Sequence, residues 1–243
     1  TKLLELVVTV FGCVLFLRRL GLRRPAAVLG GLVYASSAFL VMWTNWPQTQ
    51  VAAMIPWAFW AAEGIVTRRR AVDAVALAGA VAVMLLAGFP AVTAFALMTV
   101  AGCLAVRVVA QRRAAAQAVG KPLALAGIGL GGAVALAAVQ LVPTTDLLSE
   151  APRLLTLDRA QESSFHPARF AELVLPFAYG KDLPGSPYWG HFLHTPSSPR
   201  PWTRSIYVGV LPLILLPFAF AERRTRALAV ALALGPTLPV WLA

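Results

Sequence analysis

Charged residues are scarce in this sequence, and long apolar runs take their place. Only 13% of the 243 residues are charged, whereas 59% are hydrophobic, and the mean hydropathy is +0.74. Soluble domains carry about 25% charged residues, so this composition argues against an ordinary soluble protein. It also excludes intrinsic disorder, which requires low hydrophobicity. The composition favours a polytopic membrane protein.

Cysteines are nearly absent, and no ionisable residue lies in the middle of a long apolar run. The two cysteines, Cys13 and Cys103, are too few for a disulfide framework. Both lie within apolar runs, where a thiol packs as a small hydrophobic group. Charged groups in mid-span mark ion pathways and proton relays, so their absence argues against an ion-coupled transporter.

Eight apolar segments approach the length of about 20 residues that a membrane-spanning helix needs. Apolar residues run all round each segment, as in buried or lipid-exposed helices. The approximate limits are 3–17, 26–43, 51–66, 71–88, 91–106, 122–142, 206–221 and 227–243. We therefore predict an all-α, polytopic transmembrane bundle of about eight spans, forming a single domain over 1–243. The chain starts without methionine and stops in an apolar run, so we expect a fragment of a longer protein.

Basic residues are concentrated in alternate connections between these segments. The connections 44–50 and 88–90 carry no charge, whereas the other short connections hold 14 of the 21 basic residues. The positive-inside rule places the basic connections in the cytoplasm. They contain Arg18, Arg19, Arg23, Arg24, Arg68, Arg69, Arg70, Arg107, Arg112, Arg113, Lys121, Arg223, Arg224 and Arg226. The net charge of +11 thus orients the chain against an anionic leaflet, and we expect no nucleic-acid partner.

The long segment 143–205 then faces outward as an extracytoplasmic loop. It holds six acidic residues, six basic residues and all three histidines. The sequence predicts short interfacial helices here, including an amphipathic helix over 165–179 with Phe170, Leu173, Val174 and Phe177 on one face. His191 and His194 have a metal-ligand spacing, but the surrounding prolines disfavour the helix that would align them. We therefore predict no metal site.

A glycine motif and three acidic residues lie within the apolar segments, and each has a structural explanation. Residues 127–132 match G-x-G-x-x-G, but no strand precedes them, so we expect Gly127 and Gly131 to allow close helix packing. Glu63 and Asp73 lie near Arg68–Arg70, and we expect them to form ion pairs or to extend to the membrane interface. Glu5 lies one turn from Lys2 at the opposite end of the first span.

Several short motifs occur in an order that resembles one bacterial family. They are Leu17-Arg18-Arg19-Leu20-Gly21, residues 26–39, Trp46-Pro47, Ile55-Pro56-Trp57, residues 87–90, residues 139–144, Arg153, His166-Pro167, residues 175–180 and residues 207–212. In these motifs the chain is similar to YfhO-type membrane proteins of the GT-C class of glycosyltransferases. The resemblance covers nearly the whole chain.

The resemblance implies a multi-pass protein of the bacterial cytoplasmic membrane. Such proteins transfer a sugar from a polyprenyl-phosphate donor to a cell-envelope polymer or lipid, at the outer face of the membrane. Their catalytic acid follows the first span of the family, and we expect this chain to begin after it. We therefore assign no catalytic residue and no cofactor within the chain.

The leaving phosphate of such a donor needs positively charged hydrogen-bond donors, and arginine offers a bidentate one. Four residues of the outer loop are candidates for phosphate contact, namely Arg153, Arg159, His166 and Arg169. Each has an alternative role in an ion pair with Asp146, Glu150, Asp158 or Glu172. Two other functions stay open: a transporter or flippase of a lipid-linked intermediate, and a non-catalytic membrane scaffold for envelope assembly.

Overall fold

The computed structural model describes residues 2–115, 118–150, 166–181, 187–193, 205–221, 226 and 229–230. These residues form helices and turns and contain no strand. The α-helices are α1 (Lys2–Arg19), α2 (Arg24–Ala35), α3 (Ala38–Met42), α4 (Pro47–Thr67), α5 (Ala71–Leu86), α6 (Pro90–Ala115), α7 (Gly120–Glu150) and α8 (Val210–Ala221). Two 3₁₀ helices, Pro167–Leu173 and Gly190–Leu193, lie between α7 and α8.

The all-α prediction is confirmed for the described residues. Two helical stretches, Pro90–Arg113 and Gly120–Glu150, are long and apolar enough to cross a membrane. The expected total of about eight spans stays a prediction. Most of the segment 227–243 lies outside the described residues.

The predicted continuous helix over 26–43 is wrong, because α2 ends before Ser36 and α3 starts after Ser37. The Ser36 hydroxyl donates a hydrogen bond to the Val33 carbonyl at 3.3 Å, a local bond that competes with helix continuation. The Ala38 N–H donates instead to the carbonyl of Tyr207, at 3.0 Å. At this break, a backbone hydrogen bond connects the start of α3 to the segment that precedes α8.

Helix α4 lies at the centre of the bundle, in contact with α1, α5, α6 and α7. Val51, Ala58 and Ile65 are fully buried along it. Helix α1 runs parallel to α4. The Trp57 indole donates to the Val8 carbonyl at 3.0 Å, and the rings of Phe16 and Phe59 lie 5.4 Å apart.

The outward surface of the bundle is apolar. On α7, Ile128 is 66% exposed and Val139 is 77% exposed. Other exposed apolar side chains on the same helix are Leu123, Leu130, Val134, Leu136 and Val142. No residue of α8 is buried, although all twelve are apolar or proline. Exposed apolar side chains that follow one another along a helix are typical of a surface that contacts lipid or another protein.

Helices α5 and α7 pack closely through small residues. A Cβ on Gly129 would lie 2.9 Å from the Ala74 carbonyl oxygen, and one on Gly132 would lie 3.3 Å from the Ala78 Cβ. No described atom lies within 4 Å of the corresponding position on Gly127 or Gly131. The close packing predicted for this motif is present, but the prediction chose the wrong pair, because Gly129 and Gly132 occupy the face turned toward α5.

Replacing Gly129 by alanine should therefore destabilise the bundle. The added Cβ would push against the backbone of α5, and such overpacking costs about 1–3 kcal/mol. The matched control is Gly131→Ala, which gains helix propensity of about 0.5–1 kcal/mol without a clash. Denaturant unfolding in detergent micelles measures both. Equal stability of the two variants would contradict this helix interface.

Candidate functional site

The structure brings two of the four predicted phosphate-binding residues into one helical turn. Arg153 and Arg159 lie outside the described residues. His166 is exposed at the start of the 3₁₀ helix Pro167–Leu173, and its Nδ1 accepts a hydrogen bond from the Ala168 N–H at 3.2 Å. Its carbonyl accepts from the Arg169 N–H at 2.9 Å. His166 thus caps the turn that carries Arg169.

Arg169 forms a buried ion pair with Glu172. Its Nη2 lies 2.8 Å from Glu172 Oε2, and its Nε donates to Oε1 at 3.3 Å. The two side chains are only 5% and 4% exposed. Side chains three positions apart are eclipsed in a 3₁₀ helix, so the local geometry brings the pair together. Glu172 is among the alternative partners named above, and a phosphate contact for Arg169 stays a prediction.

The amphipathic helix predicted over 165–179 is wrong in type for the described residues of this segment. The chain forms a 3₁₀ helix followed by turns, with Phe177 at a φ of +58°. Phe170 and Val174 are exposed, whereas the charged Arg169 and Glu172 are buried. The interfacial position expected for the apolar residues stays a prediction, and the part of the segment that lies in the interior is the Arg169–Glu172 ion pair.

Residues 178–181 and 187–193 fold back onto the 3₁₀ helix. The Tyr179 hydroxyl donates to the Ala168 carbonyl at 2.7 Å, and the Trp189 N–H donates to the Tyr179 carbonyl at 3.0 Å. Gly180 has a φ of +90°, and a Cβ there would lie 3.1 Å from the Tyr188 Cα, so this turn requires glycine. Trp189 and Phe192 are exposed beside Tyr179.

The predicted absence of a metal site was argued from His191 and His194. His191 packs edge-on against Tyr188, with ring centroids 5.1 Å apart, and His194 lies outside the described residues. Within the part of the chain that the structure describes, no group of three or more histidine, cysteine or acidic side chains could hold a metal ion.

A polar cluster that the sequence reveals only in part lies where α1 and α4 begin. Lys2 Nζ lies 2.9 Å from Glu5 Oε2 and donates to Thr49 Oγ1 at 3.1 Å. The Thr49 hydroxyl in turn donates to the Trp46 carbonyl at 3.0 Å. The spacing of Lys2 and Glu5 indicates their pairing, but nothing in the sequence links them to Thr49, 47 residues away.

A second polar cluster lies at the opposite end of the bundle and contains the two acidic residues inside helices α4 and α5. Asp73, which is buried, pairs through Oδ1 with Arg68 and, at 3.4 Å, with Arg19. Glu63, also buried, pairs with Arg107 of α6, whose Nε lies 2.9 Å from Glu63 Oε2. Both acids therefore form ion pairs, Asp73 with the nearby Arg68 and Glu63 with the more distant Arg107.

Arg19 is held at this end by three kinds of contact. Its guanidinium lies 4.0 Å from the centre of the Trp60 ring, donates to the Trp60 carbonyl and pairs with Asp73. A side chain on Gly64 would collide with both Arg19 and Asp73. Burial lowers the pKa of the Arg19 guanidinium, the Arg68 charge acts in the same direction, and the Asp73 carboxylate opposes both. We define Arg19, Glu63, Arg68, Asp73 and Arg107 as the ionic network.

No family model, curated protein or solved structure matches the chain.

Replacing Asp73 by asparagine should destabilise the protein because Arg19 would lose its only carboxylate partner among the described residues. Breaking a buried ion pair costs about 3–5 kcal/mol. We expect about 2–3 kcal/mol here, since Arg68 keeps access to water and loses less. The control is Asp146→Asn, which changes an exposed carboxylate on α7. Unfolding in detergent micelles measures both, and an unchanged Asp73 variant would refute the stabilising role of the network.

Proposed function

We propose that this chain is part of a multi-pass protein of the bacterial cytoplasmic membrane that transfers a sugar from a polyprenyl-phosphate donor to a cell-envelope acceptor. The reaction would take place at the outer face of the membrane. The bilayer, the lipid-linked sugar and the envelope acceptor are then its partners. The proposal combines the family resemblance with the distribution of polar and apolar side chains over the bundle.

The apolar exterior supports the membrane part of the proposal. Helices α6 and α7 contain stretches long enough to cross a bilayer, and α7 exposes isoleucine, leucine and valine side chains along its length. In water such a surface would favour aggregation, whereas in lipid it needs no protein partner. The close α5–α7 contact through glycine and alanine is typical of helix packing in membranes.

The separation of the two polar ends is the observation that carries the proposal. The ionic network draws bases from three basic connections, through Arg19, Arg68 and Arg107, to one end of the bundle. The opposite end carries Lys2, Glu5 and Thr49 together with the T-shaped pair of Trp43 and Trp46. Arginine-rich ends are typical of the cytoplasmic side, and tryptophan pairs of the membrane–water interface.

This orientation suits chemistry on a lipid-linked sugar. The polyprenyl chain stays in the bilayer, so the bond between phosphate and sugar lies at the interface. The polar groups at the tryptophan-rich end and in segment 143–205 would then be available to the sugar and phosphate. Arginines from that segment would stabilise the leaving phosphate through charge-assisted hydrogen bonds.

Cysteine labelling tests the orientation. In a background with Cys13 and Cys103 replaced by alanine, a membrane-impermeant maleimide added to intact cells should modify His166→Cys and not Arg70→Cys. Both positions are exposed in the structure. Permeabilised cells serve as the control, because both cysteines should then react. Modification of Arg70→Cys in intact cells would reverse the topology and remove the proposed site from the outer face.

Lipid binding tests the function. The chain in nanodiscs should bind undecaprenyl phosphate, and Arg153→Ala should weaken that binding about tenfold, since a hydrogen bond to a charged group contributes about 1.5–3 kcal/mol. The matched control is Arg113→Ala at the end predicted to be cytoplasmic, which should leave the Kd unchanged. Wild-type protein that does not bind the lipid would favour the scaffold alternative.

A further inference from the structure

The beginning of α4 combines hydrogen-bonding groups with an exposed aromatic ring. Trp46, the residue before α4, is 54% exposed. Its carbonyl accepts hydrogen bonds from the Thr49 N–H and hydroxyl. The Thr49 hydroxyl also accepts from Lys2, which pairs with Glu5. One chain of hydrogen bonds therefore links the backbone carbonyl of Trp46 to an ammonium and a carboxylate.

The hydrogen-bonding capacity of these groups is only partly used. The Lys2 ammonium has three protons, of which two are directed to Glu5 and Thr49. Glu5 uses Oε2 for that pair, and its Oε1 forms no hydrogen bond or ion pair with another described residue. Gln48, which is 2% exposed, has a buried Oε1 without a hydrogen-bond partner among the described residues. A buried amide oxygen left unpaired costs about 1–3 kcal/mol.

The charge of the cluster indicates the class of ligand. Lys2 and Glu5 cancel, so the cluster is neutral and does not favour a phosphate over an uncharged group. An ammonium proton and a carboxylate oxygen placed side by side suit two adjacent hydroxyls, one accepting and one donating. An exposed indole suits the C–H face of a sugar ring. The combination therefore fits a sugar rather than the phosphate that carries it.

We propose that Lys2, Glu5 and Trp46 form a sugar-binding subsite for the glycosyl group of a lipid-linked donor. Lys2 and Glu5 bind ring hydroxyls, Trp46 stacks on the ring, and Thr49 is a positioning residue that holds the Lys2 ammonium. The subsite rests on the proposed function, because the lipid tail is what brings the sugar to this end of the bundle. It assigns no bond-breaking step to these residues.

The test compares two lipids on the full chain in nanodiscs, namely undecaprenyl phosphate and undecaprenyl-phosphate hexose. The wild-type chain should bind the hexose lipid more tightly than the sugar-free lipid. Glu5→Gln should weaken binding of the hexose lipid about tenfold, because it loses hydrogen bonds to a charged group. Binding of the sugar-free lipid should not change. Glu222→Gln, beside Arg223 in a connection predicted to be cytoplasmic, is the matched control and should change neither Kd.

A second variant keeps the proposal testable if Glu5→Gln fails to fold. Trp46→Ala removes an exposed ring and should also weaken binding of the hexose lipid only. If both lipids bind and neither variant alters the preference for hexose, the subsite is wrong and the proposed function stands. If neither lipid binds the wild-type chain, the proposed function fails, and the subsite fails with it.

Discussion

Two buried carboxylates, Glu63 and Asp73, hold one end of the bundle together. Removing a charge from water is costly unless a partner of opposite charge lies beside it, so each carboxylate fixes the position of an arginine. Arg19 comes from α1 and Arg107 from α6, while the carboxylates belong to α4 and α5. These ion pairs therefore connect four helices. Their strength depends on direction and distance, so they fix the relative positions of the helices more closely than apolar packing alone.

The rest of the architecture is consistent with that constraint. In the proposed membrane setting, burial of apolar groups against lipid differs little from burial against protein, so helices pair through close contact and polar groups. Gly64 makes room for the network, and Gly129 lets α7 approach the α5 backbone. Arginines occupy one end of the bundle, whereas the other end carries the neutral cluster of Lys2, Glu5 and Thr49. That difference is what makes a sugar-bearing lipid a reasonable ligand there.

The sequence predicted the helices better than the contacts between them. Long apolar runs with basic residues at one end located α1 and α4–α7, because length and hydropathy are local properties. The break at Ser36 was missed, since Tyr207, which satisfies the Ala38 N–H, is distant in sequence. The Glu63–Arg107 pair spans 44 residues, and no spacing rule indicates such a partner. Glu172 was among the ion-pair partners named from the sequence, but the burial of the Arg169–Glu172 pair depends on how the segment folds, which apolar periodicity does not indicate.

Photocrosslinking tests the central claim, that the end of the bundle opposite the ionic network receives a lipid-linked sugar. A polyprenyl phosphate with a diazirine next to its phosphate would be activated in nanodiscs containing the chain, and the modified peptides mapped by mass spectrometry. We predict labels on residues 2–9, on residues 46–52 and within the outer segment 143–205. Labels concentrated on residues 18–24 and 107–121, beside the network, would contradict the account.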